Sequence, residues 1–274
     1  MTLPHPGASR RSPAGPPALL LVAHGTREDA GAEVSRQLAE AVQRRLPEAP
    51  VRLAFADVRP PTVGHVLPAL LGALEVSRVA EVSQGPEMSQ GPEMSVAAEV
   101  IMVPAFLAAG YHVRRDLPAQ LAAAGVADRV RVTPVLGADP RLVAAAEARL
   151  RAAGWRRGDA TVLAAAGSSD PGARAEVAAV ARVLGRRLGC SVRVGYLAGG
   201  APSVGELVTG LREERPAGRR RVAVASWLLA PGVFQRRLLS AGADVSADPL
   251  GVRRGVVDAV LSRYWDALAA RAVA

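Results

Sequence analysis

Residues 19–23 are apolar without a break, and the run stops abruptly at His24-Gly25. A short continuous apolar run closed by a turn signal reads as a strand buried on both faces. Over residues 28–46 the period changes. Apolar positions recur at helical spacing, acids occupy the first turn and Pro47 follows the last, so a helix is expected. The alternation continues with a strand at 51–57 and a helix at 62–76 opening on Thr62. A third strand is expected at 100–106, a helix at 114–124 closed by Gly125, a short strand at 130–133 and a helix at 139–153. Strands and helices alternating at these lengths predict an α/β fold of parallel sheets with helices on both faces.

The same script is then written a second time. Leu20-Leu-Val-Ala-His24-Gly-Thr26 answers Val162-Leu-Ala-Ala-Ala166-Gly-Ser168. Pro61-Thr-Val-Gly-His65 answers Pro202-Ser-Val-Gly-Glu206, and Leu107-Ala-Ala-Gly-Tyr-His112 answers Leu229-Ala-Pro-Gly-Val-Phe234. The expected organisation is two tandem homologous modules, residues 19–154 and 155–274, facing each other across a cleft. Residues 1–18, rich in Pro, Gly, Ser and Arg, read as a disordered tail. The hexapeptide Ser-Gln-Gly-Pro-Glu-Met occurs twice in succession at 83–94. It precedes a strand, at the end of a parallel sheet opposite to where ligands bind, and reads as a slipped repeat in a tolerant loop rather than a methionine metal site.

Charge changes the picture little. The net charge is +9, but all 34 basic residues are Arg, the signature of a GC-rich coding sequence. Aromatic residues make up only 3% of the chain, so base stacking has little to work with, and no nucleic-acid partner is expected. Arginine does suit an anionic ligand, because it grips carboxylates through two parallel hydrogen bonds. A single cysteine, Cys190, excludes an all-cysteine cluster within one chain. The early apolar run is too short for a leader or a membrane span, so a cytoplasmic protein without a membrane partner is expected.

Ligands of parallel α/β sheets bind beyond the carboxyl ends of the strands. His24, Asp57 and His112 all fall there in the first module, whereas the second has Ala166, Ala198 and Phe234. Groups needed for folding would be needed twice; groups serving one shared site are needed once. A structural reading of each stays open: His24 as a helix cap, His112 as a packed core imidazole, Asp57 as a loop cap or a partner of Arg59. His65 stands where Ser203 and Glu206 form a capping box, and reads as a helix-surface residue. Two imidazoles with a carboxylate suit a borderline divalent metal, and neutral imidazoles also accept protons near neutrality.

At these residues the chain resembles the class II tetrapyrrole chelatases, specifically the long, two-module sirohydrochlorin chelatases of siroheme and cobalamin synthesis. The segments carrying the likeness are Leu-Leu-Val-Ala-His24-Gly-Thr-Arg and Val-Pro104-Ala-Phe-Leu-Ala-Ala-Gly110-Tyr-His112-Val-Arg-Arg-Asp116-Leu-Pro118. The resemblance implies a macrocycle held between the modules and Fe²⁺ or Co²⁺ as the metal inserted, with no organic cofactor. It implies that His24 and His112 bind the metal and take up protons, with Asp57, at the position where the family usually carries a glutamate, as a further metal ligand. Arg27, Arg114 and Arg115 become candidates for the substrate's carboxylates. A duplicated chain brings its own partner, so a monomer suffices. The alternative is a non-catalytic metal or tetrapyrrole carrier using the same cleft.

Overall fold

The computed structural model describes residues 15–82, 100–214 and 221–272; most of the expected tail and both hexapeptides lie outside the described residues. Four parallel strands, β1 (Ala18–Ala23), β2 (Val51–Phe55), β3 (Val100–Pro104) and β4 (Val130–Val132), form one sheet in the order β2-β1-β3-β4. The second sheet repeats it: β5 (Ala160–Ala165), β6 (Val192–Tyr196), β7 (Val222–Trp227) and β8 (Val245–Ser246), ordered β6-β5-β7-β8. The central strands β1 and β5 are buried along their whole length, which is why their sequences are unbroken apolar runs. The expected α/β fold of two tandem modules is what the chain adopts.

The helices are α1 (Asp29–Arg45), α2 (Val63–Val82), α3 (Leu117–Ala123), α4 (Pro140–Ala152), α5 (Pro171–Leu188), α6 (Val204–Glu213), α7 (Val233–Leu239) and α8 (Arg254–Ala272). The two-residue period of the strands sorts them into layers. Ala18, Leu20 and Val22 face an outer core with Leu67, Leu71, Leu117 and Leu121 of α2 and α3. Leu19 and Leu21 face the opposite way, into a core shared with the second module. There Val162 and Ala164 turn outward to α6 and α7, while Leu163 and Ala165 turn inward. The middle layer holds α1, α4, α5 and α8.

Two of those middle helices cross over. Helix α4 ends the first module in sequence yet packs on β7 of the second sheet, and α8 ends the second module yet packs on β3 of the first. Leu142 and Leu150 of α4 are fully buried in the shared core, each burial stabilising by about 1.5–3 kcal/mol. Tyr264 of α8 is also fully buried and donates its hydroxyl to the Pro17 carbonyl at 2.7 Å. The base of the molecule is thus a single packed core, and the modules part only at the carboxyl ends of the strands.

Candidate metal and macrocycle cleft

In each sheet the chain passes from the first strand to one neighbour and then returns to the other side. That reversal leaves a crevice at the carboxyl ends of β1 and β3, the usual ligand position of such sheets. His24 is the first residue beyond β1. His112 opens a π-helical turn, His112–Asp116, in which the Leu117 N–H reaches back to the His112 carbonyl. The helix expected from residue 114 therefore starts two residues early and in a wider spiral, a feature that recurs at functional sites. It brings the two imidazoles, 88 positions apart in sequence (112 minus 24), to a centroid separation of 4.4 Å at an angle of 72°.

Each ring is anchored through Nδ1. His24 meets the Gly25 carbonyl at 3.3 Å, and His112 meets Asp116 Oδ2 at 2.5 Å. With Nδ1–H donating in both, each neutral ring keeps its lone pair on Nε2. A backbone carbonyl or a carboxylate holding the remote nitrogen is the usual support of a metal-binding histidine. Asp116 was missed in the sequence as a functional residue, although a His and an Asp four apart on a helical turn share one face.

The wall of the cleft withdraws His24 from bulk water even though the ring is open to the crevice. That desolvation first, and the neighbouring His112 second, lower its pKa from the usual 6.5; the Gly25 carbonyl and the charge of Asp57 oppose the shift. His24 accordingly resists protonation near neutrality. Its position depends on a glycine. Gly25 has φ +98°, and a β-carbon there would lie 2.0 Å from the Asp57 carbonyl oxygen. Gly167 repeats the arrangement in the second module, at φ +104° and 1.5 Å from the Ala198 carbonyl oxygen. Only glycine lets the first turn of each module clamp onto the end of the next strand.

The crevice opens into a cleft of about 780 Å³ between the modules, within the range of about 300–1,000 Å³ typical of small-molecule sites. Its walls are mostly apolar, with Phe106 and Leu107 on one side and Trp227, Leu228 and Leu229 on the other. Arg27 stands on this wall as the sequence suggested. Arg114 and Arg115 do not. Arg114 spans the module boundary, with its Nε 3.2 Å from Asp170 and donating to the Ala109 carbonyl at 2.9 Å. The repeat contains the mirrored pair, because Arg236 and Glu28 occupy the equivalent positions and also form an ion pair. Arg115 is exposed outside the cleft. The arginines that join Arg27 are Arg174 and Arg237 of the second module, for which the sequence offered no signal beyond their place after strand ends.

Asp57, the expected third ligand, lies beside His24: its N–H donates to the His24 carbonyl at 3.1 Å, and its charge is felt at the imidazole. Strand β2 ends at Phe55, two residues sooner than expected, and Asp57 Oδ1 accepts the Val58 N–H at 2.7 Å. Among the described residues no three or more His, Cys, Asp or Glu side chains are arranged to hold one metal ion together. His65 lies outside the cleft, its Nδ1 2.7 Å from Thr62 Oγ1, while Ser203 and Glu206 form the full capping box at the equivalent helix start. No helix among the described residues is long and apolar enough to cross a membrane.

A model of the CbiX family matches residues 18–82, 73–153 and 160–267. Among solved structures, the chain is similar to SirB from Bacillus subtilis with Fe³⁺, with a TM-score of 0.70 and 21% identity over 92% of this chain and 95% of that one. It is similar to the sirohydrochlorin chelatase SirB from Bacillus subtilis subspecies spizizenii in complex with cobalt, with a TM-score of 0.64 and 20% identity over 92% and 95%. It is also similar to CbiX, the terminal enzyme for biosynthesis of siroheme in denitrifying bacteria, with a TM-score of 0.59 and 21% identity over 92% and 98%. At these identities the likeness establishes the fold. No curated protein matches.

Proposed function

Since the chain belongs to the CbiX family, we propose that it is a metal chelatase inserting Fe²⁺ or Co²⁺ into sirohydrochlorin, on the path to siroheme or cobalamin. The observation that carries this reading is the pair of imidazoles 4.4 Å apart, each with Nδ1 occupied, at the mouth of an apolar cleft. Two Nε2 lone pairs suit a partly dehydrated divalent cation, the substrate metal. The two apolar walls suit the faces of a flat macrocycle, and Arg27, Arg174 and Arg237 suit its peripheral carboxylates.

The reaction replaces two pyrrole N–H protons by one divalent cation, so two protons must leave for every metal inserted. As the cation passes to the pyrrole nitrogens, the Nε2 atoms of His24 and His112 become free to take those protons. Asp116 stabilises the cation that forms on His112, and the lowered pKa of His24 favours prompt release of its proton to solvent. Asp57 contributes negative charge beside His24. The second module, without histidines at these positions, supplies the opposite wall.

The test is anaerobic turnover with each metal, followed by the absorption of the macrocycle. Conversion faster than the protein-free control, by at least tenfold for one of the two metals, is expected. Binding of macrocycle or metal without acceleration would make the protein a carrier instead.

A further inference from the structure

Val58 has φ +73°, and it is the one residue other than glycine with positive φ among the described residues. β-Branched side chains are the least tolerant of this region. The Arg59 N–H closes back onto the Asp57 carbonyl at 2.9 Å, so Val58 is the centre of a three-residue turn of the rare, strained hand. The strain is held from two sides. Asp57 Oδ1 accepts the Val58 N–H, and the Arg59 guanidinium bonds the Thr26 carbonyl at 3.2 Å and Asp29 at 3.0 Å.

The second module shows that the fold does not need a valine here. Phe55 bridges Thr62 and Tyr196 bridges Ser203 at the same spacing, which makes Gly199 the counterpart of Val58. Gly199 takes the same left-handed region, at φ +53°, without a penalty. The valine is not a core residue either, since it is 45% exposed. What distinguishes it is its place: it lines the cleft on the module that carries the histidines, with exposed Tyr111 and Val233 along the same rim. A strained, exposed apolar residue that the silent copy replaces with glycine points to a contact with ligand rather than with protein.

We propose that Val58 is a substrate-contact residue, whose isopropyl group bears on the apolar face of the macrocycle and holds it over the imidazole pair. This rests on the chelatase reading above. The experiment measures binding of metal-free sirohydrochlorin by absorption titration, alongside thermal melting, for wild type, Val58→Gly and Val58→Ile. Val58→Gly is expected to melt about 2–4 °C higher, because the strain is relieved, and to bind about tenfold more weakly. Val58→Ile is expected to bind within about twofold of wild type, since the apolar contact is retained. If wild type binds and Val58→Gly binds equally well, the contact is refuted while the chelatase reading stands. A lower melting temperature for Val58→Gly overturns the strain that motivates it. If wild type does not bind sirohydrochlorin, the chelatase reading fails and this proposal fails with it.

Discussion

At the scale of single residues, the site is a matter of which ring nitrogens remain free. His24 is kept neutral by desolvation and by its neighbour, and that has a consequence for stability as well as for metal binding. A histidine whose pKa is lowered on folding is protonated more readily in the unfolded chain. Its contribution is therefore neutral well above 6.5 and increasingly destabilising as pH falls through the unfolded value towards the folded one. Thermal melts from pH 7 to pH 5 are expected to show wild type losing more stability than His24→Asn. Parallel curves would mean that His24 titrates as a free imidazole. Both histidines were legible in the sequence because they follow strand ends and because the second module lacks them. What the sequence could not give for Asp57 is its local partner: position at a strand end fixes where a residue is, whereas the turn at Val58 sets one oxygen of its carboxylate on the Val58 N–H. Arg174 and Arg237 were out of reach because they belong to the site only through the way the modules face each other.

At the scale of elements, the two modules differ in what they present to the cleft. In the first, the π-helical turn presents His112 with Asp116 behind it. In the second, the corresponding helix α7 carries Phe234 and Leu238 at those positions, and Arg237 sits over the Phe234 ring at 5.8 Å. The imidazole and its carboxylate have been replaced together, as expected if Asp116 acts through His112. Restoring the histidine alone, by Phe234→His, is expected to create no second metal site, because its carboxylate is absent and Ala166 stands where His24 would be. Cobalt titration should still saturate at the wild-type stoichiometry; a doubled value would contradict this. The glycine clamps are equally specific. Gly167→Ala is expected to destabilise the protein by about 2 kcal/mol or more, measurable by denaturant unfolding, because the new β-carbon has no room beside the Ala198 carbonyl. The order of strands and helices in the first module was readable from hydrophobic period and turn residues, with ends displaced by a few residues; the π-helical start was not, because apolar spacing does not report the width of a helical turn.

On the scale of the whole molecule, the crossing of α4 and α8 packs a helix of each module onto the sheet of the other, and the two modules are expected to fold as one unit. A fragment of residues 15–153 would lose α8 from β3 and leave the α4 stripe of Leu142, Val143 and Leu150 without its sheet. No cooperative thermal transition is expected for that fragment as a monomer, and co-expression with residues 154–274 should restore one. A fragment that melts cooperatively alone would show that the crossing is incidental. The repeat in the sequence announced two modules, but not this exchange, since apolar stripes do not say which sheet they cover. Held together at the base, the modules leave a cleft open at the top, with the histidine pair in its wall. The most direct measurement is the anaerobic rate of metal insertion into sirohydrochlorin by His112→Ala beside wild type, with melting temperatures recorded for both. A rate at least tenfold lower at nearly unchanged melting temperature is expected; a rate close to that of wild type would contradict the assignment of metal insertion to the imidazole pair.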